Sequence, residues 1–245
     1  MERHLYEPDH EAYRETVREF LAREVVPHQD EWDKERWIDR GVFARAAKAG
    51  IYALQVDEKY GGAGESDYRY RMVVCEEIAR INALSFGLTV SLQDDLVLHY
   101  LLDLTNDEQK ARWLPQCATG EIVTAIGMTE PGGGSDLANL RTTAVRDGDD
   151  WIINGSKTFI TNGGSADLVL VAARTSPEKK AKGISLFAVD TTLDGFSVGR
   201  VLDKVGQDES DTAELAFDNV RVSNDDLVGP LDTGFISMMQ FLPQE

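Results

Sequence analysis

A chain of 245 residues, 42% hydrophobic and 28% charged, has the composition of a folded globular protein and is long enough for two domains. Its 25 basic against 43 acidic side chains leave a net charge of −18, which argues against nonspecific nucleic-acid binding and against an anionic membrane surface. A small anionic ligand, held by a few local cations and backbone N–H groups, stays open.

Two cysteines, Cys75 and Cys117, are too few for a disulfide framework and fall in amphipathic helical patterns. They read as buried reduced thiols, and the expected compartment is the cytoplasm. The four histidines are scattered, with no metal-ligand spacing. The charged start "MERHLYEPDHEAYRE" has no apolar signal-peptide core. The longest apolar stretch, "LSFGLTVSLQDDLVLHYLLDL", is interrupted by Gln93, Asp94 and Asp95, so a core helix is expected and no membrane span.

Helical periodicity dominates up to about residue 121. In "DHEAYRETVREFLAREVVPHQDEW", Tyr13, Val17, Phe20, Leu21 and Val25 form one apolar stripe, with Asp9 as the expected N-cap. "IDRGVFARAAKAGI" predicts a second helix closed near Gly50. "SDYRYRMVVCEEIARI" predicts a third, capped by Ser66 or Asp67, and residues 85–104 a fourth. "TNDEQKARWLPQCATG" opens a fifth, with Thr105 and Glu108 at capping-box spacing.

Beyond residue 121 the pattern changes to short alternating runs: "EIVTAIGM", "TTAVRDGDDWII", "KTFIT", "DLVLVAAR", "GISLFAVD", "FSVGRVL", "TAELAF" and "VRV". "RDGDD" and "NGS" lie between apolar runs and predict hairpin turns. Helical character returns from Asp232. The expected fold is α+β: an all-α N-terminal domain over 1–121, a β-barrel or sandwich over 122–231, and the start of a helical bundle over 232–245.

Two stretches stand out. "MTEPGGGSD" spends three glycines after a proline, yet it lacks the Gly-Lys-Ser/Thr ending of a triphosphate loop and the G-x-G-x-x-G spacing of a dinucleotide turn. Alone it reads equally as a bare turn or as a ligand-facing loop. In "NGSKTFITNGG", strand alternation places Phe159 and Thr161 on one face, where packing is the default reading.

Together, in this order and followed by "FDNVRVSNDDLVG", the two stretches resemble the acyl-CoA dehydrogenase family of flavoenzymes, closest to the long-chain type. "EKYGGAG" near residue 60 fits as well, and the resemblance covers essentially the whole chain. It implies FAD as cofactor, with the segment from Ile126 and Gly127 through Gly134 and Ser135 running along the flavin and its pyrophosphate. Met128 and Thr129 match positions that hydrogen-bond the flavin pyrimidine edge. Ser135 matches a serine near the cofactor phosphates and the acyl-CoA. Phe159, Ile160 and Thr161 match the triplet covering one face of the ring, the threonine hydroxyl aimed at N5. Where relatives often have Trp, this chain has Phe159, which keeps the stacking surface and gives up a donor.

The resemblance also implies a reaction: oxidation of an acyl-CoA to the trans-2-enoyl-CoA by α-proton removal and β-hydride transfer to the flavin. Electrons then pass to an electron-transferring flavoprotein, and the full-length enzyme is a homotetramer. In most members the catalytic base lies far along the C-terminal helical domain. In a subset it is a glutamate early in that domain's first long helix, and "FLPQE" resembles the long-chain form, with Glu245 as the base. Gln207 and Asp208 stand where relatives often place a basic residue. The rival readings are a non-catalytic fragment or partner subunit, and an acyl-CoA oxidase.

Overall fold

The computed structural model describes residues 4–244; Glu245, the expected base, lies outside the described residues. Helix α1 is Pro8–Glu24 and begins earlier than expected, because Pro8 suits the first helical turn and His10 Nδ1 accepts the Glu7 N–H at 3.1 Å. The single helix expected through Trp32 is broken at Pro27. A 3-10 turn, Val26–His28, separates α1 from α2, Gln29–Glu35. Helix α3 is Gly41–Lys48, and α4, Tyr68–Arg80, is capped by the Asp67 carboxylate on the Arg69 N–H at 3.0 Å.

The apolar stretch after residue 84 is α5, Leu84–Ser91, then a π-helical segment Leu92–Val97, then α6, Leu98–Leu104. Gln93, Asp94 and Asp95 fall in the π-helical segment, and all three are buried. Helix α7 is Asp107–Ala118. Its cap is Asn106, not Thr105: Asn106 accepts from the Gln109 N–H at 2.9 Å while Gln109 accepts from the Asn106 N–H at 3.0 Å. The Thr105 hydroxyl turns back to the Leu101 carbonyl and closes the preceding helix instead.

The strands are β1 Thr124–Gly127, β2 Thr143–Asp147, β3 Asp150–Thr161, β4 Leu168–Arg174, β5 Ile184–Asp190, β6 Phe196–Val201, β7 Thr212–Ser223 and β8 Leu227–Val228. "RDGDD" makes the expected hairpin between β2 and β3, with Gly148 at φ +65°. "NGS" does not turn the chain. Asn154, Gly155 and Ser156 lie inside β3, where the pairing with β7 slips by one residue between Ile153 and Gly155. "TAELAF" and "VRV" are likewise one strand, β7.

The sheet runs β6-β7-β3-β2-β4-β5-β8, with β1 parallel to β4, and its two halves meet at the single pair Thr143↔Arg174. They fold face to face. Trp151, Ile153 and Ile160 from β3 and Leu215 and Phe217 from β7 share a core with Val169 and Val171 of β4 and Phe187 of β5, and the Trp151 and Phe187 rings lie 5.6 Å apart. The opposite side chains of β4 and β5, such as Leu170, Ala172 and Leu186, join the helical core. These two strands are therefore buried on both faces, which explains their unbroken apolar runs.

Helix α8, Gly234–Phe241, is partnered within the chain. Met238 and Phe241 are buried in the helical core, the Phe241 ring 4.7 Å from that of Tyr100, while Ile236 and Met239 stay exposed. Cys117 is buried as expected, but Cys75 is on the solvent side of α4 and exposed. Among the described residues, no helix is long and apolar enough to cross a membrane, and no group of three or more His, Cys, Asp or Glu could hold a metal ion.

Candidate functional site

Strand β1 carries the glycine-rich loop out of the boundary between helices and sheet. Its first residue is gripped from both halves: the Thr124 N–H donates to the buried Gln93 side chain, and the Thr124 carbonyl accepts from Asn162 Nδ2 at 3.1 Å. Beyond Gly127, "TEPGGG" closes a tight turn. The Glu130 and Gly133 backbones bond each other in both directions, at 3.1 and 3.0 Å, with Pro131 at the second position.

None of Gly132, Gly133 and Gly134 has a positive φ. A Cβ added at Gly132 or Gly133 would meet no protein atom within 4 Å, and one at Gly134 would come within 3.2 Å of Thr129 Cγ2. Neither backbone torsion nor protein packing thus accounts for the first two glycines. Ser135 is exposed just past the turn. Turn and following segment border a cavity of about 140 Å³, with Glu130 and Arg141 among its walls.

The second stretch reaches the first directly. The Thr158 N–H donates to the Thr129 carbonyl at 3.0 Å, and Lys157 Nζ donates to the Met128 carbonyl at 3.2 Å. Immediately after this junction, β3 slips against β7 between Lys157 and Ile160, so that Thr158 and Phe159 together oppose one residue. Phe159 absorbs the bulge at φ +59°, a left-handed conformation that is an outlier for an aromatic side chain. The residue is 67% exposed. A lone exposed ring needs no explanation, but one held outward by an unfavourable backbone does.

The site residues therefore divide. Phe159 stands outside with Thr161 half-buried two residues on, whereas the Ile160 side chain lies in the sheet core. Ile126 and Met128 bury their side chains toward the helices, and Ile126 also pairs with Leu170 of β4. Gly127 has a packing reason, since its Cβ would lie 3.2 Å from Lys157 Cγ. At the chain's far end, the turn Leu242–Gln244 packs against the π-helical segment.

Sequence reasoning missed the residues behind the site. Lys157 is wholly buried, and its ammonium sits 2.9 Å from Glu130 Oε1. Burial pushes Lys157 down to about 8 although Glu130 pulls it back. Burial pushes Glu130 up, but the Lys157 charge and the Thr142 and Arg141 N–H groups outweigh it and hold the carboxyl below its ordinary value. The signal that could have found Lys157 was a charge on the inward phase of a strand whose other inward residues are apolar.

An open glycine turn, a cluster of polar backbone beside it and an outward-held aromatic ring suit a flat ligand with an anionic tail, and FAD has that shape. The class defined by this fold is a helical array backed by a two-part mixed sheet, with the glycine-rich loop following β1. Family models describe the same halves: "Acyl-CoA dehydrogenase, N-terminal domain" matches residues 7–121 and "Acyl-CoA dehydrogenase, middle domain" residues 125–220. The chain belongs to the acyl-CoA dehydrogenase family.

It is 44% identical over 245 residues to the long-chain specific acyl-CoA dehydrogenase, mitochondrial, of Mus musculus, covering 99% of this chain and 56% of that protein. The crystal structure of an acyl-CoA dehydrogenase from Geobacillus kaustophilus superposes with a TM-score of 0.95 at 43% identity, over 99% of this chain and 64% of that one. A glutaryl-CoA dehydrogenase from Mycobacterium smegmatis in complex with FADH2 superposes at 0.88 and 32% identity, over 98% and 60%. The chain thus spans little more than half the length of the curated relatives it matches.

Proposed function

We propose that this chain carries the flavin-facing part of an FAD-dependent enzyme that oxidises a medium- to long-chain acyl-CoA to the trans-2-enoyl-CoA. The observation that carries the reading is Phe159, a ring held outward on a left-handed residue beside a glycine turn with open space around it. The chain-length preference rests on "FLPQE" and on the identity to long-chain relatives.

When bound, FAD supplies the acceptor for the hydride that leaves the substrate β-carbon. Phe159 would offer its face to the ring system, and the Thr161 hydroxyl would lie toward its hydride-accepting side. Met128 and Thr129 would hold the pyrimidine edge, the segment from Ile126 and Gly127 to Gly134 would run along the flavin and its pyrophosphate, and Ser135 would lie near the phosphates and the acyl-CoA. Glu245 takes the α-proton, which requires a desolvated carboxylate of raised basicity. An electron-transferring flavoprotein removes the electrons, and the working assembly is a homotetramer.

The full-length gene product is expected to purify yellow and to bleach anaerobically with octanoyl- or palmitoyl-CoA. A colourless protein that binds neither FAD nor acyl-CoA overturns the proposal. Rapid reoxidation by O₂ with peroxide release makes it an oxidase instead. Glu245→Gln is expected to lower turnover about a hundredfold or more with the flavin spectrum unchanged. Near wild-type turnover would place the base elsewhere.

A further inference from the structure

Lys157 and Glu130 form a buried ion pair with no obvious stabilising purpose. Replacing such a pair by apolar residues of similar volume is often neutral or favourable, because both ions lose their hydration. Glu130 would also keep its loop without Lys157, since it accepts the Arg141 N–H on Oε2 at 2.6 Å and the Thr142 N–H on Oε1 at 2.8 Å. What Lys157 adds is its second bond, to the Met128 carbonyl at 3.2 Å.

That carbonyl belongs to the peptide whose N–H is that of Thr129. The next carbonyl, of Thr129, is held by the Thr158 N–H, so two consecutive loop carbonyls are fixed by two consecutive residues of β3. Among the described residues no acceptor meets the Thr129 N–H. A cation on the carbonyl side of a peptide draws electron density toward oxygen and makes the N–H on the other side a stronger donor. Glu130 completes the device by fixing where the ammonium sits.

We propose that Lys157 and Glu130 are positioning residues for the flavin: they lock the Met128–Thr129 peptide and polarise its N–H, and so set both the grip on the cofactor and its reduction potential. The inference rests on the FAD reading above. A stronger donor at the pyrimidine edge favours the added negative charge that a flavin carries when reduced, so the wild-type pair raises the potential.

The test uses the full-length protein with Lys157→Met, Glu130→Gln and the double variant, each measured for thermal stability without cofactor, FAD dissociation constant and flavin midpoint potential. Lys157→Met is expected to lower stability, to weaken FAD binding about tenfold and to make the potential more negative. The double variant removes both charges and is expected to recover most of the stability, while FAD binding and potential stay shifted. If the double variant restores all three, or if folded variants match wild type in FAD affinity and potential, the pair is merely structural and the inference fails. Should Lys157→Met not fold, the double variant decides the matter: FAD affinity and potential shifted from wild type support the inference, and wild-type values overturn it. A wild-type protein that binds no FAD overturns the flavin reading itself, an outcome distinct from equal binding by all forms.

Discussion

A methyl group added at Gly195 would lie 2.1 Å from the Asp218 carbonyl oxygen, on a backbone at φ +86°, whereas one added at Gly133 would meet nothing within 4 Å on an ordinary backbone. The sheet half thus contains two kinds of glycine. Gly195 is required by the protein's own packing and torsion. Gly133 is not, although glycine there costs about 0.5–1 kcal/mol in chain entropy. A glycine that the fold does not need leaves room at this turn for a ligand to approach the backbone.

Substitution breaks or sharpens the contrast. Gly195→Ala is expected to destabilise by about 3 kcal/mol or more, from steric overlap and torsion together. Gly133→Ala is expected to change stability by less than about 1 kcal/mol, and in the favourable direction, since it restricts the unfolded chain. The same substitution is expected to weaken FAD binding. Urea unfolding of the two variants beside FAD titration decides it. Equal destabilisation would make the triple glycine a turn and nothing more.

Buried carboxylates show the same division. Glu130 has every oxygen bonded, whereas Asp94 accepts from the Ala53 N–H at 3.0 Å and leaves Oδ2 without a hydrogen bond, 4.0 Å from Arg71 Nε. Burial pushes Asp94 up to about 7, with Asp95 adding to it and Arg71 and the Ala53 N–H opposing. Between its unfolded value near 3.9 and about 7, the folded state binds more protons than the unfolded one, so this group makes stability fall as pH rises through that window. Asp94→Asn removes the ionised form. It is expected to stabilise the protein by about 2 kcal/mol more at pH 8 than at pH 5, read as the difference in unfolding midpoints. An equal effect at both pH values would mean that Asp94 is not ionised at a cost.

Composition and periodicity made the helical half, the change to strands near residue 121 and the hairpin at Gly148 legible. What stayed hidden depends on contacts between distant segments. Asn154–Gly155 has the dipeptide of a hairpin, but pairing with β7 keeps it inside a strand, opposite a bulge in β7 at Asp218–Asn219. The second bulge, at Thr158–Phe159, cannot be seen in alternation either, and it is what turns Phe159 outward. Glu130 carries no signal in the sequence, because its partners Arg141, Thr142 and Lys157 lie 11, 12 and 27 residues away. Gln93 interrupted an apolar run for a reason equally remote, the N–H of Thr124 at the start of β1.

The smallest expected effect bears on the same comparison from the side of the strained residue. At φ +59° an ordinary side chain costs about 1–2 kcal/mol relative to the right-handed region, and glycine does not bear that cost. Because Phe159 is 67% exposed, removing its ring forfeits little buried area. Phe159→Gly should therefore leave the cofactor-free protein unchanged or more stable by up to about 1 kcal/mol, after the greater entropy of glycine in the unfolded chain is set against the relieved strain. With FAD present the order is expected to reverse, the wild type gaining more stabilisation from the cofactor because it alone supplies a ring face. If Phe159→Gly is less stable without cofactor, the ring packs on the protein after all and its outward posture loses its meaning as a mark of the site.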